Sequence, residues 1–214
     1  KVIGGSRNLL LGGGMYIDSS SGNITSGQDH YIVESANNNI VIGNRDTVRN
    51  TQGSAAFGGF NFIDSATFSS SLGYRLRNNS WVSAVVGTGN AWKPSAKKYG
   101  PWEPTDPQFT VGAGEPGVVG GTLEDTVNAF MVLKNGWTLV NAGLKKTSAS
   151  DPYFSPRAEL DVTGTGAMII PTGTNGQKPS VPVVGMKRFN STYGCMEVYD
   201  GSAWHGTINK SESV

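Results

Sequence analysis

A short unit recurs six times between Asn8 and Gly87, and this repeat limits the folds open to the chain more than any other feature. Each copy is an Asn or Ser, then three mostly small or apolar residues, then a glycine. Successive glycines are separated by 15, 16, 15, 15 and 14 residues. They are Gly12, Gly27, Gly43, Gly58, Gly73 and Gly87. A period near fifteen is too short for a pair of helices and predicts short strands joined by tight turns.

Two short strands and two turns make one coil of a β-solenoid. Such a coil is stable only when stacked on its neighbours, because it leaves backbone donors and acceptors unpaired above and below. We expect each glycine to form a corner with positive φ, and the narrow interior to admit slim side chains such as Ala56 and Ser71. Ile17, Val48 and Ile63 lie five residues after a glycine and form a second marker. An antiparallel sandwich with regular turns is the alternative, but the constant phase favours the solenoid.

The pattern Ser/Asn-apolar-x-apolar-Gly at this spacing resembles the head domains of trimeric autotransporter adhesins and the repeats of many phage tail fibres. The resemblance covers roughly the first half of the chain, and Ser26 stands where a slim hydrophobe is usual. It implies an all-β fold in which three chains each wind a left-handed parallel β-roll, a form of β-solenoid. The three rolls would pack about a threefold axis as a homotrimer.

The fifteen-residue repeat is interrupted after Gly87. Residues 88–107 contain four prolines, which exclude a helix or a central strand, and Gln108 to Gly112 restores the repeat signature. We therefore expect 88–107 to be an insertion loop within a β-roll that spans 1–140. Asn135-Gly136 lies between two apolar runs and predicts a hairpin with a type I′ turn. Residues 141–165 are predicted to be a connector.

Residues 166–214 predict a small β-rich tip domain. Two segments, Gly166–Thr174 and Tyr199–Trp204, carry a resemblance to a module widespread in phage tail-fibre proteins, which ends on Tyr-Asp-Gly-x-x-Trp. Independently, the pattern predicts a β-meander with strands at 183–189, 195–199 and 203–208 and a turn at Asp200-Gly201. Tyr199 and Trp204 are expected to pair across that turn.

Composition excludes several classes of protein. The net charge is +1 and the basic residues are scattered, whereas a nucleic-acid groove needs a clustered basic face. No apolar run reaches the length of a membrane span, so we expect a protein that is not membrane-embedded. Cys195 is the only cysteine and is predicted to be a buried small hydrophobe. The first residues read like the middle of a folded region, so we expect the chain to be the distal fragment of a longer fibre.

Few residues suggest catalysis. His30 and His205 lie outside any nucleophile motif and are expected to be ordinary core or surface residues, and no spacing predicts a metal or cofactor site. Glycosidases need two carboxylates, and the acidic residues that could supply them are Glu34, Asp64, Glu103, Asp106, Glu115, Glu124 and Asp125. Scattered acids are usually solvated, so we expect a protein that is not an enzyme, with a tailspike-like polysaccharide depolymerase as an alternative.

Binding chemistry has better support in the insertion. Trp92, Tyr99 and Trp102 offer flat faces for sugar rings, and charged neighbours could bind hydroxyl groups; these neighbours are Lys93, Lys97, Lys98, Glu103 and Asp106. An equally open alternative is that the tryptophans fold back and fasten the loop to the roll. Trp204 and His205 form a second candidate patch, although core packing is favoured for Trp204.

Together these features predict a non-enzymatic trimeric fibre or adhesin fragment that binds a cell-surface receptor. By resemblance, the receptor is a bacterial envelope glycan or an outer-membrane component, and the fibre is extracellular, on a phage tail or a bacterial surface. A purely structural fibre shaft or trimerisation unit is the main alternative.

Overall fold

The computed structural model describes residues 1–93, 96, 102–114, 127–140, 158–162 and 167–207. Within these residues the chain is built from strands and turns, with one short 3-10 helix at Asn175–Gln177 and no α-helix. The predicted all-β solenoid is confirmed. Internal contacts divide the chain into two compact units, Lys1–Gly164 and Thr165–Val214.

The first unit contains two sheets. The strands of the larger sheet are β2 (Leu9–Gly13), β4 (Ile24–Gln28), β6 (Ile40–Asn44), β8 (Ala55–Gly59), β10 (Ser70–Tyr74), β12 (Ala84–Thr88), β13 (Pro107–Ala113), β14 (Asn128–Leu133), β15 (Thr138–Val140) and β16 (Leu160–Val162). The strands of the smaller sheet are β1 (Val2–Ile3), β3 (Tyr16–Asp18), β5 (Tyr31–Val33), β7 (Thr47–Arg49), β9 (Phe62–Asp64) and β11 (Arg77–Asn78). Each coil as far as β11 therefore contributes one strand to each sheet, and the strands from β12 onward belong to the larger sheet.

Neighbouring coils pair in parallel and in strict register. Gly27 of β4 lies opposite Gly12 of β2 and Gly43 of β6, and the same alignment continues along the larger sheet to β13. In the smaller sheet Ile17 of β3 pairs with Ile32 of β5 in the same way. Chemically equivalent residues are thus stacked in columns, which is why the sequence period is nearly constant.

The core is a thin layer between the two sheets. The central residue of each strand in the smaller sheet points inward, and Ile17, Ile32, Val48 and Ile63 are fully buried. Slim residues such as Ala56 fill the facing column of the larger sheet. Burial of a large aliphatic side chain contributes about 1.5–3 kcal/mol, so the second marker of the repeat supplies much of the core.

The repeating glycines lie inside the strands rather than at corners. Their φ angles run from +97° at Gly87 to +147° at Gly73, a region that favours glycine. A Cβ added at Gly43 would overlap the carbonyl oxygen of Gly58 in the next coil, and each repeat glycine has the same relation to its successor. The prediction that these glycines form the corners is therefore wrong, because their role is to let strands approach closely.

The corners are formed mainly by other residues with positive φ. Two residues after a repeat glycine the chain turns at Asp29, Arg45, Phe60 or Arg75, with φ between +55° and +57°. Another corner contains Val82, a β-branched residue at φ +49°. Such conformations cost about 1–3 kcal/mol each for residues with a side chain, so coil stacking must hold them in place.

The Asn or Ser before each unit forms a buried ladder. Asn39 Nδ2 donates to Asn23 Oδ1 at 3.0 Å, and Asn39 Oδ1 accepts from the backbone N–H of Ser54 at 2.8 Å. Ser54 Oγ accepts in turn from the backbone N–H of Ser69 at 3.2 Å. An unpaired buried donor costs about 1–3 kcal/mol, so this position requires a short side chain with an acceptor oxygen.

The solenoid continues across the insertion and ends in a hairpin. β13 pairs in parallel with β12, and β14 and β15 then add antiparallel strands. The predicted hairpin at Asn135-Gly136 is present, but its type I′ turn is not. Gly136 has φ +85° while Asn135 does not have positive φ, and the Gly136 N–H donates to Leu133 O at 2.9 Å. This is a type I turn followed by a left-handed glycine.

The second unit contains a four-stranded sheet. Its strands are β17 (Thr172–Gly173), β18 (Lys187–Asn190), β19 (Cys195–Tyr199) and β20 (Trp204–Gly206). The strand predicted at 183–189 begins only at Lys187, since the Met186 N–H donates to Val183 O in a turn. Cys195 is partly exposed, so its predicted burial is wrong.

Candidate functional site

The outward face of the larger sheet is apolar and exposed. The first and third residues of its strands from β2 to β12 point away from the core, and Phe109 and Val111 of β13 continue the same two columns. None of these residues is charged, and only Ser26 and Ser70 are polar. Those more than a third exposed are Leu9, Leu11, Ile24, Ile40, Ile42 and Leu72. Contiguous apolar surface of this kind marks a site of association.

A column of aromatic and cationic side chains runs along the outside of the smaller sheet. Tyr16 and Tyr31 stack with ring centroids 4.6 Å apart. Further along, the Arg77 guanidinium lies 4.9 Å from the Phe62 ring centroid and 4.2 Å from the Trp92 ring centroid. The predicted ligand residue Trp92 thus extends a column begun by the preceding coils.

Trp102 is half exposed and packs against two residues from other elements. Its ring meets the Trp81 ring edge-on, with centroids 6.5 Å apart. The Lys134 Nζ lies 5.1 Å from the Trp102 centroid and 5.6 Å from the Trp81 centroid. Burial lowers the pKa of Lys134, while the carboxylate of Asp106 opposes that shift. A buried cation between two indole rings fastens this part of the insertion to the hairpin turn.

Charged residues of the insertion bind one another. Lys93 Nζ donates to Asp106 Oδ1 at 3.0 Å and to Thr105 Oγ1 at 2.9 Å, and Asp106 is fully buried. The Thr105 hydroxyl donates to Glu103 Oε1 at 2.9 Å. The predicted ligand residue Glu103 therefore belongs to the network that shapes the loop.

Several predicted residues lie outside the described part of the chain. They are Lys97, Lys98, Tyr99, Glu115, Glu124 and Asp125.

The remaining candidate carboxylates on the solenoid share one arginine. Arg49 Nη2 lies 2.9 Å from Asp64 Oδ2, and Arg49 Nη1 lies 3.9 Å from Glu34 Oε1. The hydrogen bond to Asp64 raises the pKa of Arg49. Both carboxylates therefore contribute to an ion pair on the side of the solenoid.

An open groove of about 640 Å³ lies along three successive coils. The Arg45 guanidinium lies 5.5 Å from the Phe60 ring centroid, and the Phe60 and Tyr74 rings meet edge-on at 5.4 Å. Gly58 and Gly59 leave bare backbone beside these rings. Exposed aromatic faces next to a guanidinium suit a sugar ring. The sequence contained a signal for this groove, because Arg45, Phe60 and Tyr74 follow successive repeat glycines by one or two residues.

In the second unit, Trp204 and His205 lie on β20. The Trp204 and Tyr199 rings pair across the turn, as predicted, with centroids 5.5 Å apart. His205 Nε2 lies 2.8 Å from Asp200 Oδ2. The two candidates therefore sit on adjacent positions of one exposed hairpin.

Asp200 caps that hairpin turn. Its Oδ1 accepts hydrogen bonds from the backbone N–H groups of Ala203 and Ser202, both at 2.8 Å, and from the Ser202 hydroxyl. These bonds hold the pKa of Asp200 well below its usual range. A Ser-His-Asp triad needs the histidine between the other two, whereas Ser202 and His205 both bind the carboxylate, so this arrangement is a turn cap.

A buried pair joins His30 and Asp46 inside the solenoid. His30 Nδ1 lies 3.6 Å from Asp46 Oδ2, and both side chains are fully buried. The Asp46 backbone N–H donates to His30 Nδ1 at 3.3 Å, and Asp46 Oδ1 accepts from the backbone N–H of Asn61 at 2.9 Å. Burial raises the pKa of Asp46. His30 is therefore a core residue, which is one of the two ordinary positions expected for it.

Sequence reasoning missed the partners of the candidate residues. Arg77, Trp81 and Lys134 hold Trp92 and Trp102 but come from other coils and from the hairpin. A signal existed for Arg77, which lies fifteen residues before Trp92 and so falls in its column.

Across the described ranges, no three His, Cys, Asp or Glu side chains gather as a metal site would require. Nor does that part of the chain contain a helix long and apolar enough to span a membrane. Comparisons with protein-family models, curated proteins and solved structures gave no match to this chain.

Proposed function

We propose that this chain is a non-enzymatic fibre or adhesin fragment that acts as a homotrimer and binds a bacterial envelope glycan or an outer-membrane component. It would work outside the cell, on a phage tail or a bacterial surface. In this role the chain assembles with its copies and binds the receptor, and it cleaves no bond in the receptor.

The exposed apolar face of the larger sheet is the observation that carries the proposal. Its outward columns contain mostly apolar residues and no charges over seven parallel strands, β2 to β13. We take further copies of the same chain to be the occupant, because a flat, uncharged, repetitive face complements itself when rotated about an axis. Burial of Leu9, Leu11 and Leu72, each more than half exposed in the single chain, would then stabilise the assembly.

Exposed aromatic residues support a glycan as the receptor. Trp102, Phe60 and Tyr74 are each more than a third exposed. Lys134 lies over the Trp102 ring and Arg45 over the Phe60 ring, which meets the Tyr74 ring edge-on. Three chains would present each such site three times. Avidity then multiplies a weak single-site affinity by a factor on the order of 10²–10⁴ when the sites engage together.

Assembly is tested first by light scattering on the purified chain. We expect a mass three times 22.5 kDa for the wild type and a shift towards the monomer for Leu72→Lys. Gln52→Lys is the matched control, because Gln52 is exposed outside the apolar columns. A monomeric wild type, or a Leu72→Lys variant that stays fully trimeric, would argue against this face as the interface.

Receptor binding is tested by adhesion of the trimer to host cells. The variant with Trp92, Tyr99 and Trp102 replaced by alanine should lose most binding if the insertion contacts the receptor. Unchanged adhesion with an intact trimer would instead favour a structural shaft, which the packing of Trp92 on Arg77 and of Trp102 on Lys134 also fits. Release of new reducing ends from host polysaccharide would replace the proposal with a depolymerase.

A further inference from the structure

The second unit has no buried apolar core in the single chain. Among its described residues, 167–207, the buried ones are Arg188, Asn190 and Glu197, and all three are polar or charged. By contrast, Ile169 is 92% exposed. The interior is not closely packed either, since an open cavity of about 430 Å³ lies beside Arg188. Burial of apolar surface is the main stabilising term in folding, and this unit lacks it as a single chain.

A unit of this size needs a further source of stability. Thr165–Val214 is one compact unit, and domains below about 70 residues usually add disulfides, a metal or oligomerisation. Cys195 is the only cysteine in the sequence, so no disulfide can form within the chain. The described residues contain no cluster of three His, Cys, Asp or Glu side chains for a metal. Of these three devices, association with other chains is the one left.

One face of the four-stranded sheet is apolar and open to solvent. Phe189 of β18 lies opposite Met196 of β19, so both point to the same side of the sheet. Val198 lies two residues after Met196 and points to that side too. Met196 is 40% exposed, and Phe189 and Val198 are partly exposed. We call these three residues the apolar tip face.

The opposite face of the sheet is covered by the chain itself. Arg188 and Glu197 alternate with the residues of the apolar tip face and so point the other way. Arg188 Nη2 donates to the backbone oxygen of Thr174 at 2.9 Å, and Lys178 Nζ lies 3.0 Å from Glu197 Oε1. The segment around the 3-10 helix therefore lies over the polar cluster. A partner has access to the apolar tip face instead.

Charges at the rim of the apolar tip face suit a second copy of the chain. Lys187 lies on β18 opposite Val198. Asp200 lies at the same end of the sheet, in the turn between β19 and β20, and its side chain is 48% exposed. A cyclic assembly joins one side of each copy to the other side of the next copy. Because Lys187 and Asp200 are on different strands, the lysine of one copy can lie beside the aspartate of the next, which makes the copies complementary in charge.

We propose that the apolar tip face packs against the same face of two further copies of this chain, and that this contact completes the interior of the second unit. The inference rests on the proposed function in taking the number of copies to be three. It deepens that function by giving the second unit a self-association surface of its own, separate from the larger sheet of the solenoid. A receptor is the less suitable occupant, because the unit needs its core at all times, whereas a receptor is bound only at the target.

The test is thiol cross-linking of the full chain with a short bismaleimide at low protein concentration. In a Cys195→Ser background, Met196→Cys and Val198→Cys each place one thiol on the apolar tip face. Gly176→Cys is the matched control, because Gly176 is exposed in the segment over the opposite face and nothing lies within 4 Å of a Cβ added there. We expect covalent dimers on a denaturing gel from most of the Met196→Cys and Val198→Cys protein, and only background from Gly176→Cys.

The contrast among the three positions decides the outcome. Equal cross-linking at all three, or none at Met196→Cys and Val198→Cys in a folded trimer, would overturn the inference. If one of the two tip-face variants fails to fold, the other decides alone.

Thermal unfolding gives a second readout. Met196→Lys should lower the midpoint of the transition of the second unit, because it places a charge in a buried contact. Gly176→Lys should leave that midpoint unchanged. An unchanged midpoint in Met196→Lys would contradict the proposal.

Assembly and adhesion separate this inference from the proposed function. A trimeric chain that adheres to host cells but forms no cross-links on the apolar tip face would overturn the inference and leave the adhesin role standing. Cross-links on that face in a trimer that does not adhere would support the inference and count against the adhesin role.

Discussion

The distance between the backbones of neighbouring coils decides which residue type a position in the solenoid can accept. Gly43 combines a φ of +139° with contact to the next coil, so two independent effects exclude a side chain there. Gly13 is also a glycine of a strand, yet nothing lies near the position of its missing Cβ and its φ is not positive. The two glycines therefore differ sharply in what they contribute, although the sequence presents them alike.

Gly43→Ala should destabilise the first unit by about 3 kcal/mol or more, because backbone strain adds to overlap with Gly58 O. Gly13→Ala should change stability by less than about 0.5 kcal/mol, as substitutions away from such features do. Urea unfolding of the two variants measures the difference. Similar losses in both would contradict the close-approach role of the repeat glycine.

Asp46 is a second residue whose environment has a measurable consequence. Burial raises its pKa above the ordinary 3.8, and its Oδ2 has no hydrogen-bond partner among the described residues. The native state therefore binds this proton more tightly than the unfolded chain. Its contribution to stability falls as the pH rises from about 4 through the raised pKa.

Asp46→Asn keeps an oxygen for the Asn61 N–H and removes the charge. We expect the variant to be more stable than the wild type by about 1–3 kcal/mol at pH 7, because the buried Oδ2 has no hydrogen bond and its nearest ionisable neighbour, His30 Nδ1, lies 3.6 Å away. The advantage should shrink as the pH falls towards 4. Denaturant unfolding across that range tests the sign, and a difference that does not change with pH would show that Asp46 does not titrate in this way.

Individual strands are held in place by the polar ladder as well as by the apolar core. Each member from Asn8 to Ser69 accepts a hydrogen bond from the backbone N–H of the next member, as Asn39 does from Ser54. Both Asn and Ser serve because each carries an oxygen within reach of the backbone. The ladder thus explains why an Asn or Ser precedes each repeat unit, which hydrophobic patterning does not explain.

Asn39→Ala should cost about 2–3 kcal/mol, since it leaves the Ser54 N–H without an acceptor and opens a small void. Asn39→Ser is the matched control and should cost clearly less, because serine occupies the same column at Ser54, Ser69 and Ser83. Thermal unfolding compares the two variants. Equal losses would mean that side-chain volume, rather than the acceptor oxygen, is what the column requires.

The elements could be predicted from the sequence where they depend on a periodic signal. The strands around Gly12 to Gly87 follow from the repeat, and β13 follows from the return of its signature. The corners could not be predicted, because local propensity disfavours positive φ at Phe60 or Val82. Coil stacking overrides that preference, and stacking is a non-local property.

The candidate site was harder to predict for the same reason. The sequence predicts Trp92 and Trp102 as candidate binding residues. Their contacts, however, depend on Arg77, Trp81 and Lys134, which the fold brings together from distant positions. The cavity beside Arg188 likewise needs three strands and a turn to form. The fifteen-residue spacing of Arg77 and Trp92 is a signal for one of these contacts, but neither composition nor spacing indicates the contacts of Trp81 and Lys134 or the cavity.

At the scale of the whole molecule, each of the two units has its own sheet system and its own interior. The first is centred on Ile17, Ile32 and their column, and the second on the polar cluster of Arg188, Asn190 and Glu197. Glu197 there accepts from Asn190 Nδ2 at 2.8 Å. Units of this kind unfold separately when each is cooperative by itself.

Calorimetry should therefore resolve two thermal transitions. Asn39→Ala should lower the midpoint of one transition only, and Trp204→Ala, which removes the ring packed on Tyr199, should lower only the other. A single transition that both variants shift equally would mean that the chain unfolds as one cooperative body.

The passage from β12 to β13 has a consequence for how the coils are aligned. β12 ends at Thr88 and β13 begins at Pro107, yet Gly87 still lies opposite Gly112 as if no residues intervened. Adjacent parallel strands are about 4.8 Å apart, so the pairing of β12 with β13 requires the two ends of the intervening segment to meet at that spacing. The register of the coils on either side is therefore set by the paired strands, and the length of the peptide between them does not enter into that alignment.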